Sequence, residues 1–258
     1  NDEVRFIIGG LATKNLYQMI LRWNISCPVD IVIGEGDFVV SAIVQGKPLD
    51  IICQDGNKRV ITVSATSPYF PHDISNIPLD RSFFVNQPLR HALGFNEVSI
   101  VTSRGCMYNC AFCSAARSLN KETPIRERNA QSVANEVKML CELYPDMHSV
   151  RVLDDLFLRN TGSVERAVCM FEYVPVTWRA MAHVLSFYKL SDPQLLKLKR
   201  SGCMEVFIGI ESGSPRILKM IHKTSDVDLI KRTIERLFRV GINVKGYFIF
   251  GFETEKIE

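Results

Sequence analysis

The sequence predicts an α/β protein with a barrel-like parallel sheet, preceded by a shorter α/β region. Three observations predict it. Short apolar runs alternate with helical periods up to about residue 55, which implies a parallel sheet. Five strand–helix repeats follow from residue 97, the pattern of right-handed crossovers in a barrel-like sheet. Between the two regions, residues 66–96 are proline-rich and carry no period, as a surface linker does.

In chain order, residues 5–8 read as a strand and 15–23 as a helix. Residues 30–33 form a second strand running into Gly34-Glu35-Gly36-Asp37, and 38–44 resume a helical pattern. Ile51-Ile52-Cys53 and Arg59-Val60-Ile61-Thr62-Val63 flank Asp55-Gly56-Asn57 and read as a hairpin. From residue 97, strands centre on 98–102, 149–153, 176–182, 205–210 and 243–250. Helices fall between them, near 129–144, 162–172, 192–201 and 226–240. Asn129 opens the first of these, and Val133, Val137, Leu140 and Leu143 follow at helical spacing. In such sheets reactive groups gather at the C-terminal ends of the strands.

Composition narrows the partners. The chain has 258 residues, 47% hydrophobic and 23% charged, values ordinary for a globular protein. No run reaches the roughly 20 apolar residues that cross a bilayer, and no basic-then-apolar leader opens the chain. No membrane partner is expected. The net charge of +3 is too small and too evenly spread to argue for nucleic acid.

Cys106, Cys110 and Cys113 form a C-x3-C-x2-C run directly after the first strand of the repeat series. Three thiolates on one loop suit three corners of an iron–sulfur cube and leave the fourth iron open. Structural zinc, the alternative, normally takes four ligands, usually as two separated pairs, and no fourth is evident nearby. Cys27, Cys53, Cys141, Cys169 and Cys203 lie mostly in apolar or helical contexts and are expected to be ordinary buried thiols. A chain of this size is not a small disulfide scaffold, so a reducing, cytoplasmic setting is expected.

With aromatic Phe112 just before the last cysteine, the run resembles the radical S-adenosylmethionine superfamily. The resemblance covers nearly everything from residue 97 onward. It implies that Cys106, Cys110 and Cys113 ligate a [4Fe–4S] cluster whose fourth iron is chelated by S-adenosylmethionine. Reductive cleavage then yields a 5′-deoxyadenosyl radical that abstracts hydrogen from the substrate. Phe112 is implied at the cofactor site. Asp154 and Asp155, in Val152-Leu153-Asp154-Asp155-Leu156-Phe157, match the acidic end of the family's second strand and are implied to meet the methionyl ammonium. A helix cap or turn is their alternative reading. Gly209-Ile210-Glu211-Ser212-Gly213-Ser214 is similar to the family's G-x-E-S-G-S segment, which implies Glu211 as organiser of the cofactor pocket and Ser212 at the ribose hydroxyls. Gly246-Tyr247-Phe248-Ile249-Phe250-Gly251-Phe252 resembles the fifth strand, whose backbone holds adenine, with Gly246 and Phe248 on the cofactor side.

Departures from the family pattern also matter. His183 stands where many relatives place arginine; it is a candidate proton donor facing the substrate, with a structural histidine as the alternative. Arg126 and Arg128 either bind a carboxylate or solvate a helix start. The run Gly251-Phe252-Glu253-Thr254-Glu255 is two residues shorter than the family's loop.

Gly9-Gly10 and the segment Val29-Asp30-Ile31-Val32-Ile33-Gly34-Glu35-Gly36-Asp37 resemble the end of the cobalamin-binding domain of one large subgroup. The implied architecture is a partial (β/α)6-type TIM barrel over 97–258, lacking its C-terminal end. Before it would come the C-terminal part of a Rossmann-like, cobalamin-binding-type domain over 1–65, with 66–96 as linker. Cobalamin is left open as a cofactor, because a vestigial domain that only packs fits the same residues. Pieces are expected to be missing at both ends. The expected function is radical chemistry on a small-molecule or natural-product substrate, with an external electron donor such as flavodoxin or ferredoxin. Cobalamin-dependent methylation is one alternative. Methylthiolation of RNA or protein is another, although Cys27 and Cys53 do not supply the second cluster it usually needs.

Overall fold

The computed structural model describes residues 4–77, 80–81, 88–90, 94–121 and 123–256. The expected linker falls partly outside them, at 78–79, 82–87 and 91–93. The chain divides into two compact units: Asn1–Ile77 with Ser114–Pro124, and Pro78–Cys113 with Ile125–Glu258.

The first unit contains β1 (Phe6–Ile8), α1 (Thr13–Leu21), β2 (Val29–Gly34), α2 (Val39–Val44), β3 (Ile51–Asp55) and β4 (Lys58–Val63). Its sheet order is β1-β2-β4-β3, parallel except for β3 on the edge. Val29, Ile31, Val60 and Ile61 are fully buried, so the apolar runs seen in sequence are the centre of this sheet. The Thr13 hydroxyl donates to Val32 O at 2.7 Å and ties the start of α1 to β2. Gly34 has φ of 112°, and a Cβ there would stand 2.2 Å from Val63 O, so only glycine fits where β2 leaves the sheet.

The second unit contains β5 (Leu89–Arg90), β6 (Asn96–Ile100), β7 (Ser103–Arg104), β8 (Arg126–Glu127), α3 (Ala130–Leu143), β9 (Ser149–Val152) and α4 (Thr161–Phe171). It continues through β10 (Thr177–Ala182), α5 (Asp192–Arg200), β11 (Cys203–Glu211), α6 (Pro215–Met220), α7 (Val227–Arg239) and β12 (Asn243–Phe248). The sheet order is β12-β11-β10-β9-β6-β5, a curled half-barrel. Five strands are parallel, as the strand–helix repeats predict. The sixth, β5, is a two-residue antiparallel edge that the pattern did not show.

Alternation along the strands separates two faces. Val98, Ile100, Val150, Val152, Ala180, Ala182, Val206 and Ile208 point to the helices and are buried there. Trp178 anchors that layer: its ring stacks on Phe171 at 5.0 Å, meets Phe157 edge-on, and its indole N–H donates to Ser201 O. The opposite, concave face carries Glu97, Arg151, Arg179, Glu205, Phe207 and Lys245. Caps fix where the helices begin. The Asn129, Asn160 and Asp226 side chains accept the backbone N–H three residues on, opening α3, α4 and α7.

Two expectations are corrected. Among the five outlying cysteines only Cys203 is fully buried, and Cys169 is exposed because it falls on the solvent side of α4. Arg126 and Arg128 do not solvate a helix start, since both are buried. The Arg128 guanidinium pairs with Glu136 and donates to Val101 O at 3.1 Å, fastening α3 to the sheet.

Candidate active site

The cysteine run follows β7, which pairs antiparallel with β8, and Gly105, with φ of 90°, turns the chain into it. Two carboxylates at the end of β9 hold the root of this loop. Asp154, 3% exposed, accepts from Thr102 N at 2.6 Å, the Thr102 hydroxyl at 2.7 Å and the Ser103 hydroxyl at 2.5 Å. Asp155 accepts from Gly105 N at 2.9 Å. Further along, Ala111 N donates to Ile221 O at 3.1 Å and the His222 ring meets Asn109 O at 3.1 Å. These bonds tie the loop to the turn after α6.

The three cysteines are half-buried. Burial pushes the Cys106 thiol up, with the neighbouring Cys110, Cys113 and Asp155 charges adding to the rise. Burial likewise raises Cys110, while the Lys223 ammonium works against it. Three sulfur donors crowded on one loop, with Cys106 and Cys110 resisting ionisation on their own, are chemically suited to a cationic group that takes them all as thiolates. Among the described residues, no three His, Cys, Asp or Glu side chains gather closely enough for a single metal ion. A cubane makes no such demand, because it takes its thiolates at three separate iron corners.

Tyr108, inside the run, stacks on His183 with ring centroids 4.0 Å apart and donates its hydroxyl to Arg159 O at 3.2 Å. His183 directly follows β10, caps the 3-10 turn Val184–Ser186 and is 6% exposed. Its Nδ1 accepts from Leu185 N at 3.2 Å, which places the proton of the neutral ring on Nε2. Burial, and then the Lys223 charge, push His183 down to about 4, so the imidazole is uncharged near neutral pH.

At the end of β11, Glu211 adopts φ of 68°, an uncommon conformation for a residue with a side chain. Its carboxylate lies 3.4 Å from Lys223 Nζ, both groups largely buried. Gly209 makes this possible: a Cβ there would lie 2.2 Å from Glu211 Oε1 and 3.1 Å from Lys223 Nζ. Ser212 follows, 8% exposed, its hydroxyl accepting from Ser214 N at 3.1 Å. A cleft of about 340 Å³ runs along Ser212 to Ile217 and reaches Glu255 and Lys256, a size that suits a small ligand. A Cβ on Gly246 would stand 2.8 Å from Ile210 Cδ1, so glycine lets β12 close on β11. Phe248 and Phe112 are both about half exposed, and Phe112 lies 6.2 Å from Phe252.

The structure therefore places the cysteine run, Asp154, Asp155, His183, Glu211 and Ser212 at the C-terminal ends of neighbouring strands. Lys223 and Tyr108 were not singled out from the sequence. Lys223 is one of 31 lysines and arginines, and only its approach to Cys110, Glu211 and His183 distinguishes it.

Residues 100–258 match the model of the radical SAM superfamily. An uncharacterised methyltransferase of Pyrococcus horikoshii is 28% identical across the whole chain, which covers 56% of that protein. The bacteriochlorophyllide d C-12(1)-methyltransferase of Chlorobaculum tepidum is 31% identical over 69% of the chain and 38% of its own length. The chain spans about half or less of the curated relatives it matches. The cobalamin-dependent S-adenosylmethionine radical enzyme OxsB shares the fold over 96% of the chain and 40% of its own, with a TM-score of 0.67 at 16% identity. With the three-cysteine loop at the mouth of a curled parallel sheet, these findings show that the chain belongs to the radical S-adenosylmethionine superfamily, whose cofactors are a [4Fe–4S] cluster and S-adenosylmethionine.

Proposed function

We propose that the chain forms the radical-generating part of an enzyme that abstracts hydrogen from a small-molecule substrate. The observation that carries this is the cysteine run, rooted on Asp154 and Asp155 and flanked by His183 and the Glu211–Lys223 pair. Cys106, Cys110 and Cys113 are the cluster ligands in this reading. When bound and reduced, the cluster and S-adenosylmethionine supply a 5′-deoxyadenosyl radical. The chain's own residues orient and shield. Asp154 fixes the loop root; Asp155, half free at the rim, faces the methionyl ammonium. Glu211 and Ser212 organise the ribose side, and Gly246, Phe248 and Phe112 the adenine side. His183 braces Tyr108 with an uncharged ring and keeps one N–H, on Nε2, for a hydrogen bond. Electrons come from an external donor of the flavodoxin or ferredoxin kind.

A second reading, cobalamin-dependent methyl transfer, is favoured by the names of two relatives, both methyltransferases, and by OxsB. In it, the first unit is the C-terminal part of a cobalamin-binding-type domain.

Anaerobic reconstitution followed by S-adenosylmethionine and dithionite tests both. The first reading expects 5′-deoxyadenosine, abolished together with the cluster when Cys106, Cys110 and Cys113 are all replaced by alanine. No 5′-deoxyadenosine from the reconstituted full-length protein overturns it. S-adenosylhomocysteine formed alongside 5′-deoxyadenosine supports methyl transfer.

A further inference from the structure

The concave face of the half-barrel holds a charged layer that the radical chemistry does not use. Strand register puts its members side by side: Arg151 is level with Arg179 and Glu205, and Phe207 is level with Lys245. Arg179 is already paired with both carboxylates of the layer. Its Nε and Nη2 donate to Glu97 at 2.5 and 2.8 Å, and its Nη1 donates to Glu205 at 3.1 Å. Hydrogen bonding to Glu97 is also what chiefly raises the Arg179 pKa.

The other two cations are placed differently. Arg151 lies 5.4 Å and Lys245 5.9 Å from the centroid of Phe207, which Arg179 also approaches at 5.3 Å. Lys245 lies 5.8 Å from the Tyr247 ring as well. Among the described residues, neither Arg151 nor Lys245 has a hydrogen-bond or ion-pair partner. Among the described residues three cations face two carboxylates, which leaves one positive charge of the layer uncompensated. A half-buried guanidinium that makes only ring contacts leaves a fork of N–H donors unused.

We propose that this layer binds the oxyanion of a small molecule, a carboxylate or a phosphate, with Arg151 and Lys245, both lying over the buried Phe207 ring, as its donors. Charge-assisted hydrogen bonds from a planar fork suit such an anion. The inference deepens the proposed function and rests on it: the substrate enters the same curled sheet and is anionic. Phe207 precedes Glu211 by four residues along β11, about 13 Å at strand rise. A substrate anchored by Arg151 and Lys245 near the level of Phe207 and reacting at the level of Glu211 is therefore elongated, with its anion remote from the reacting carbon.

Calorimetric titration of the full chain with phenyl phosphate, phenylacetate and uncharged phenylacetamide tests the site. The expected result is anion binding at least tenfold tighter than that of the amide. Arg151→Gln and Lys245→Gln each weaken the anions at least fivefold and leave the amide unchanged, while Lys245→Arg restores them. Lys245 is exposed, so its variants are not expected to disturb folding. Equal binding of anions and amide, no binding of either anion, or variants that hold the anions like the parent chain would each overturn the proposal. Formation of 5′-deoxyadenosine without anion binding overturns this inference alone. Anion binding without 5′-deoxyadenosine sinks the radical reading and leaves the anion site standing.

Discussion

The ends of β9 and β11 each present a carboxylate to the mouth of the half-barrel, and they use it in opposite ways. Asp154 is spent on three short hydrogen bonds to its own chain. Glu211 meets a single lysine at 3.4 Å, on a backbone held at positive φ and in space that only a glycine leaves open. Strain of this kind costs on the order of 1–3 kcal/mol and persists where surrounding structure enforces it. The contrast teaches that an acidic residue at a strand end serves either as scaffold or as a group poised to change partners. Sequence alone does not say which.

The largest test of the contrast is Asp154→Ala. Removing the carboxylate leaves the buried Thr102 amide and hydroxyl unpaired and the Ser103 hydroxyl with only its bond from Arg159, so a loss of about 3–5 kcal/mol is expected. Urea unfolding measures it, and iron retained per chain after reconstitution should fall with it. A variant as stable as the parent would show that Asp154 is not scaffold.

His183, at the end of β10, supplies the next test through pH. Its folded-state pKa of about 4 lies below the roughly 6.5 of an exposed histidine. The depressed group favours the fold above the unfolded value, and that contribution disappears as pH falls from about 6.5 towards 4. The expected size is about 3 kcal/mol, read as the steepness of stability against pH in the parent. His183→Phe keeps an aromatic partner for Tyr108 and should flatten that slope.

Gly209→Ala addresses the Glu211 end. The new Cβ evicts the carboxylate at a cost of about 1–3 kcal/mol. In a Glu211→Ala background the same substitution should cost at least 1 kcal/mol less, because the clash is gone. Additive effects in that double-mutant cycle would refute the glycine's role. The smallest effect belongs to Asp155→Asn. Its exposed single bond to Gly105 N should contribute under about 1 kcal/mol, so a change in S-adenosylmethionine affinity without a change in stability is expected.

Much of the fold was legible because the strands alternate and the helices keep their period: all five parallel strands and the helices α3, α4, α5 and α7 lie where the pattern puts them. Short elements were not. β5, β7 and β8 have two residues each, too few to show a period, and they exist because a neighbouring strand or turn pairs with them. At the site, the cysteine run and Glu211-Ser212 were visible as motifs. The Tyr108–His183 stack and the Arg179–Glu97 pair were not, since each joins residues more than seventy positions apart, and only the folded sheet brings them together. Arg128 shows the converse error. A charged residue before a helix looks solvated in sequence, yet a glutamate two turns on draws it into the interior.

The Asp154 knot also sets a clock. The Thr102 amide is fully buried and donates to a carboxylate that is itself in the interior, so its proton should exchange with solvent only when the whole second unit opens. Met107, a few residues on, is exposed. The loop thus spans two regimes over a handful of residues: a root that moves as slowly as global unfolding, and an exposed tip held by the Tyr108 stack and by bonds to the turn after α6. Release of a bound group from the tip need not involve the root, and a loop that has lost what it holds keeps the shape in which to receive it again.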